Sequence, residues 1–269
     1  MRHSQRGATM IVVLIMLVLL TLVGIMGIRT AMTSLSIATN SQVSQLVAQS
    51  SDTPSNYFLN GSDYQNLTTL TTVVGQAISL NESGQRGREV IFCYRPTGKE
   101  RIDSAFDTTV LIPPDKSADP DTKATIDSVY TDRAGFCDLT KDFGSSREAV
   151  VTQVSVKVVS EPGSVIGAAL ERGSNQAVGA TETKDKVEAT VRVTSTAIMP
   201  SFARESISDI QQKCIGNGSN VGYINDNLGA DLTGKMTVAG CLSSYGIPLS
   251  TQVQEFELRT RDIQTEAPI

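Results

Sequence analysis

The chain has 269 residues, with 23 Lys and Arg against 28 Asp and Glu for a formal charge of −5. No basic cluster marks the part beyond Pro54, which argues against a nucleic-acid groove as the main function. The single histidine is His3, so no triad, HExxH zinc site or general base that needs histidine can form farther along.

Arg2 and Arg6 precede Gly7, and the 21 residues from Ala8 to Ile28 carry no charge. Only Thr9, Thr21, Gly24 and Gly27 interrupt the large apolar side chains of that run. At 1.5 Å per residue such a helix spans about 31 Å, enough to cross a hydrocarbon core of about 30 Å. A secretory signal has a shorter apolar region of about 7–15 residues and then a small-x-small cleavage site. Here Arg29 follows instead, so removal of the run as an ordinary signal peptide is not expected. The arginines ahead of the span favour the cytoplasmic side and predict export of the rest. Thr30 to Ser51 carry no charge, proline or glycine. Met32, Leu35, Val43 and Leu46 continue from Ile28 at spacings of three, four or twice four, on one helix face. One helix is therefore expected from about Ala8 to about Thr53, roughly 70 Å long, stopping at Pro54.

Beyond Pro54 the pattern is α+β. A Thr-rich segment with Leu67, Leu70, Val73, Val74 and Ile78 predicts a short second helix. Glu89 to Tyr94 and Thr109 to Ile112 read as strands, the latter stopped by Pro113 and Pro114, and Asp115 to Lys123 as a loop. Residues 149–160 set Val150, Val154, Val156 and Val158 on one face of a stronger strand. Residues 186–199 alternate Val187, Ala189, Val191 and Val193 against Glu188, Thr190, Arg192 and Thr194. That alternation predicts one-sided burial, as in an antiparallel sheet packed on a helix. Glu161 to Asp185, with Pro162 and four glycines, is long for a hairpin loop, and loops of that length are usually functional or mobile. Residues 201–213 read as a short amphipathic helix and 252–260 as a closing strand. Four cysteines, Cys93, Cys137, Cys214 and Cys241, suggest two disulfides in an oxidising compartment. Three pairings are open, and sequence proximity favours Cys93–Cys137 with Cys214–Cys241.

Few motifs in the chain carry chemistry. Gly229 to Lys235 has phosphate-loop spacing, but Met236 replaces the Ser or Thr that binds Mg²⁺, and the following TVAGC is a poor helix start. Asp115, Asp119 and Asp121, and separately Asn225, Asp226, Asn227 and Asp231, lack EF-hand spacing and read as solvated loop acids. Glu205 and Asp209 sit at helical spacing on a solvated face. No catalytic residue, metal ligand or cofactor is expected.

The junction Arg6-Gly7-Ala8 and the opening Ala8-Thr9-Met10-Ile11-Val12 of the apolar helix resemble the class III signal of type IV prepilins. The stretch from Gln5 to about residue 50 is most similar to PilX-type minor pilins. The resemblance implies that a prepilin peptidase cuts after Gly7 and methylates Ala8. The helix then holds the subunit in the bacterial inner membrane and later packs in the core of an extracellular filament. It divides the chain into a leader peptide (1–7), a transmembrane and stalk helix (8–54) and an exported globular α+β domain (55–269). The implied fold is pilin-like, a long N-terminal helix packed on an antiparallel sheet. Most pilins carry Glu at the fifth position after the cut, where it meets the N-terminal amine of the subunit above; this chain has Val12. A subunit with Val12 makes a poor repeating unit, which implies a priming role at or near the tip. Its implied partners are other minor pilins, a tip adhesin and the major pilin below. The alternative is a single-pass, membrane-anchored periplasmic binding module with the helix as tether only.

Overall fold

The computed structural model describes residues 8–60, 67–96, 104–129, 135–145, 147–160, 183–218 and 220–263. The chain divides into two compact units, Met1–Leu46 and Val47–Ile269. Helix α1 (Ala8–Asn60) forms the described part of the first unit and supplies the start of the second. From Met10 to Gln42 every side chain is exposed. Among the described residues α1 is the one helix long and apolar enough to cross a membrane.

The expected stop at Pro54 is wrong: α1 continues through it to Asn60. A proline inside a helix lacks the N–H and crowds the carbonyl four residues back, at about 3 kcal/mol. Burial on both sides of it offsets that cost. Val47, Ser51, Ser55 and Phe58 are all buried at three- and four-residue spacing, and Pro54 is buried among them. The Phe58 ring stands edge-on to Phe92, centroids 6.3 Å apart. The packed residue is thus Val47, at 3% exposure, while Leu46 on the expected stripe is 40% exposed. Ser51 Oγ lies 3.1 Å from Ser250 Oγ, a contact that small side chains permit by letting the helix approach the sheet.

Helix α2 (Val73–Glu82) begins later than the apolar pattern suggested. Thr72 is extended, and its hydroxyl accepts the Gly75 N–H at 3.1 Å, so the threonine caps the helix. Gly75 is required there, because a Cβ would lie 2.0 Å from the Thr69 carbonyl oxygen. Leu70, ahead of the cap, is 70% exposed.

Six antiparallel strands follow: β1 (Glu89–Tyr94), β2 (Thr109–Ile112), β3 (Thr125–Val129), β4 (Val151–Ser160), β5 (Thr183–Ile198) and β6 (Leu249–Ile263). Their order is β3-β2-β1-β4-β5-β6. The short edge strand β3 was not anticipated; its sequence TIDSV has few apolar residues to announce it. The expected loop Glu161 to Asp185 lies outside the described residues up to position 182, and its last three residues open β5. In place of the helix expected over 201–213, a 3-10 turn (Pro200–Phe202) precedes α3 (Ile207–Ile210), which runs into a π turn (Gln211–Ile215). Helix α4 (Val238–Ser244) starts in the TVAGC stretch that read as a poor helix start. The Thr237 hydroxyl accepts the Gly240 N–H and caps it, which outweighs the weak propensity of the first turn.

The expectation of one-sided burial also fails, since every residue from Val151 to Val158 is buried. One face carries Val90, Phe92, Val154, Val156, Val191 and Val193 against Phe58 of α1 and Val73, Val74 and Ala77 of α2. The other carries Ile91, Leu111, Val151 and Ile198 beneath Leu139, Ile210, Ile215, Ile224, Val238 and Leu242. The molecule is α+β, with a long helix on an antiparallel sheet whose second face is roofed by the 135–142 segment and the chain between β5 and β6. Phe58→Ala is expected to destabilise the full chain in detergent by about 3–5 kcal/mol in urea titrations, because the cavity lies between helix and sheet.

Candidate functional site

The residues singled out from the sequence fall in two separate places. Gly7 lies outside the described residues, Ala8 is the first residue of α1, and Val12 is 61% exposed on its second turn. The cysteines lie in the globular unit. Cys93 joins Cys137 and Cys214 joins Cys241, closing sequence separations of 44 and 27 residues. Both bridges belong to the core under the roof. The first pins the 135–142 segment to β1, and the second ties the π turn to α4.

The roof is held from its other side by the loop 115–123. The Met236 N–H donates to the Pro120 carbonyl at 2.8 Å, and the Ala124 N–H to Gly222 at 3.1 Å. Lys235, the lysine of the phosphate-loop-like stretch, is buried and donates to the Ala118 carbonyl. Its ammonium is spent on closing one loop over another, and Gly229 to Lys235 is a run of turns with no strand ahead of it. Asp231 pairs with Lys116 at 2.9 Å in the open. Glu205 and Asp209 are exposed.

Asp226 is different. It is 4% exposed, so its reading as a solvated loop acid was wrong. Across the roofed face runs a row of charges: Glu89 on β1, Lys157 on β4, Arg192 on β5 and Glu255 on β6. Lys157 and Arg192 are directly opposite in the ladder, as are Arg192 and Glu255. Lys157 Nζ lies 3.1 Å from Glu89 and 2.8 Å from Asp226. Arg192 bonds Asp226 at 3.0 Å and Glu255 at 2.6 Å. Asp226 therefore sits over the two cations and bridges them. The backbone and side chain of Asn225 both donate to Glu89, and Gln153 donates to Asn225 Oδ1 at 2.9 Å. The sequence carried one signal of this cluster: Lys157 and Arg192 interrupt strands otherwise rich in valine, and Glu89 opens a strand with no other charge. Alternation alone placed Arg192 in solvent.

Burial pushes the Asp226 carboxyl up, but Lys157, the Leu228 amide and Arg192 outweigh it and hold the group below its ordinary 3.8. Burial pushes the Lys157 ammonium down, and Glu89 and Asp226 more than reverse it, raising it above 10.5. Beside the row a groove of about 720 Å³ has Lys157 and Arg192 in its lining and Arg86, Arg88 and Lys116 among its other residues. Lys157 and Arg192 are already paired, so this cluster is a structural clamp with no reactive group to spare. Among the described residues no three His, Cys, Asp or Glu side chains group as a metal site requires.

Comparison of the chain with protein-family models, curated proteins and solved structures finds no match.

Lys157→Met should cost about 3–5 kcal/mol at pH 7, since it leaves Glu89 and Asp226 facing each other's charge in a buried space. Asp226 stabilises the fold above its ordinary 3.8, and that contribution is lost as the pH falls through its lowered folded value. The contribution of Lys157 is complete below 10.5 and is lost as the pH rises through its raised folded value. The penalty of Asp226→Asn, read from urea midpoints, is therefore expected to be largest near neutrality and to shrink as acid protonates the wild-type carboxyl.

Proposed function

We propose that the protein is a minor pilin of a type IV pilus that primes assembly and occupies the filament at or near its tip. The observation that carries this reading is the junction of Arg6 and Gly7 with a 21-residue uncharged run from Ala8, which forms a helix whose side chains from Met10 on are exposed on all sides. A tether alone has no need of a glycine between the basic flank and the span. A two-disulfide α+β unit at the other end of that helix suits an exported subunit. Before assembly the subunit lies in the inner membrane with its globular unit in the periplasm; afterwards it is extracellular. Its partners are the prepilin peptidase, other minor pilins, a tip adhesin and the major pilin below. Val12 supports the tip position. A buried carboxylate at that place needs an amine from the subunit above, and the topmost subunit has nothing above it.

Processing tests the reading first. Prepilin peptidase should release a chain beginning at Ala8, and Gly7→Ile should stay uncut, because a side chain obstructs access to the backbone there. An intact Met1 in the mature wild-type protein, or an Ala8 N-terminus in the variant, removes the pilin reading and leaves an anchored periplasmic module.

Position is tested by Val12→Glu in cells lacking the native copy. An unpaired carboxylate at the top of an apolar core costs several kcal/mol or takes up a proton, so piliation should stay level or fall. Immunogold should find the wild-type protein at filament ends. Label along the shafts, or a gain in pilus number from the substitution, excludes the tip.

A further inference from the structure

Glu89, Gln153, Lys157 and Asn225 are each at most 3% exposed. The two oxygens of Glu89 divide between an amine and an amide. Oε1 accepts Lys157 Nζ at 3.1 Å, and Oε2 accepts Asn225 Nδ2 at 3.0 Å. The backbone N–H of Asn225 also donates to Oε2, at 2.9 Å, and fixes that loop residue above β1. Gln153 donates to Asn225 Oδ1 at 2.9 Å and polarises the carbonyl. All these groups are paired, so none is spare for an outside substrate. The pairing nevertheless sets a nucleophile and a leaving group on the two oxygens of one base, with a donor already on the carbonyl to be attacked.

We propose that Lys157 and Asn225 condense into a side-chain amide that ties β4 covalently to the roof. Glu89 takes a proton from the Lys157 ammonium, and the free amine attacks Cγ of Asn225. The Cγ–Nδ2 bond breaks as a second ammonium proton reaches Nδ2 through Glu89, and ammonia leaves. The third proton stays on the new amide, and Glu89 ends as the neutral acid. Ammonium, carboxamide and carboxylate thus become amide, ammonia and carboxylic acid, with no change of net charge. Two buried charges disappear, and Arg192 no longer faces a second cation across the ladder. Asp226 keeps Arg192 as its partner. The groove of about 720 Å³ that Lys157 lines gives the ammonia a way out. Asp226 also touches Lys157, at 2.8 Å, but Arg192 and the Leu228 N–H hold it as a carboxylate, which resists attack by an amine. The open pair titrates at Lys157; the condensed pair has no ammonium left to titrate. The bond belongs to the globular unit and is independent of how α1 is used.

The test is peptide mapping of the full chain after reduction and trypsin. Condensation blocks cleavage after Lys157 and yields a branched peptide about 17 Da, one ammonia, lighter than its two arms, with fragmentation placing the branch at Asn225. Wild type should carry this peptide on isolation, or gain it on incubation at about pH 9, where the free-amine fraction is about a hundredfold that at pH 7. Glu89→Gln should lower its yield about a hundredfold, and Asn225→Ala should abolish it, in protein whose Cys93–Cys137 and Cys214–Cys241 bridges show that it has folded. Wild type without the branch under both conditions, a branch at Asp226 with loss of water (about 18 Da), or an undiminished yield in Glu89→Gln would each overturn the inference.

Discussion

Lys157 and Arg192 face each other across adjacent strands with almost no water, and the rest of the globular unit is arranged around that fact. Like charges directly opposite in a sheet destabilise it. Glu89 and Glu255 on the flanking strands β1 and β6 neutralise each cation from the side, but neither lies between them. Asp226 does, and it comes from a loop rather than from the sheet. The loop must therefore close over the face, which makes a roof necessary. Once closed, it must be kept there, because a half-satisfied buried network is costlier than an apolar core. The Cys214–Cys241 bridge, the Lys235 anchor and the backbone bonds to the 115–123 loop hold the roof from several directions.

The opposite face solves a different problem. It takes the end of α1 through a strip of small and apolar residues, Val47, Ser51, Pro54, Ser55 and Phe58, and leaves the earlier part of the same helix bare. One helix is thus bare along its start and buried at its end without a break in its backbone. A proline within it is tolerated because the surrounding turns are fixed by packing against valines and Phe92.

The two ends of α1 also differ in composition. Burial in the globular unit uses shape, with serines admitting close approach. The bare part carries a single charge, Arg29, up to Ser51.

Sequence alone determined the elements that depend on local pattern. The uncharged run fixes α1, valine alternation fixes β4 and β5, and the two prolines fix the end of β2. Cysteine proximity also favoured the bridges that form. The helix and strands are legible because each rests on side chains within a few residues of one another; the bridges, 44 and 27 residues apart, were favoured only as the nearest pairs. Tertiary structure decided everything that depends on distant chain segments. Pro54 stays helical because Phe58 finds Phe92. Asp226 is buried because Lys157 and Arg192, far away in sequence, need a shared counter-charge. The second face of the sheet is covered because a loop with no strand or helix pattern of its own supplies that charge. Periodicity reports which way a side chain points from its own element, and carries no record of what another part of the chain will place above it.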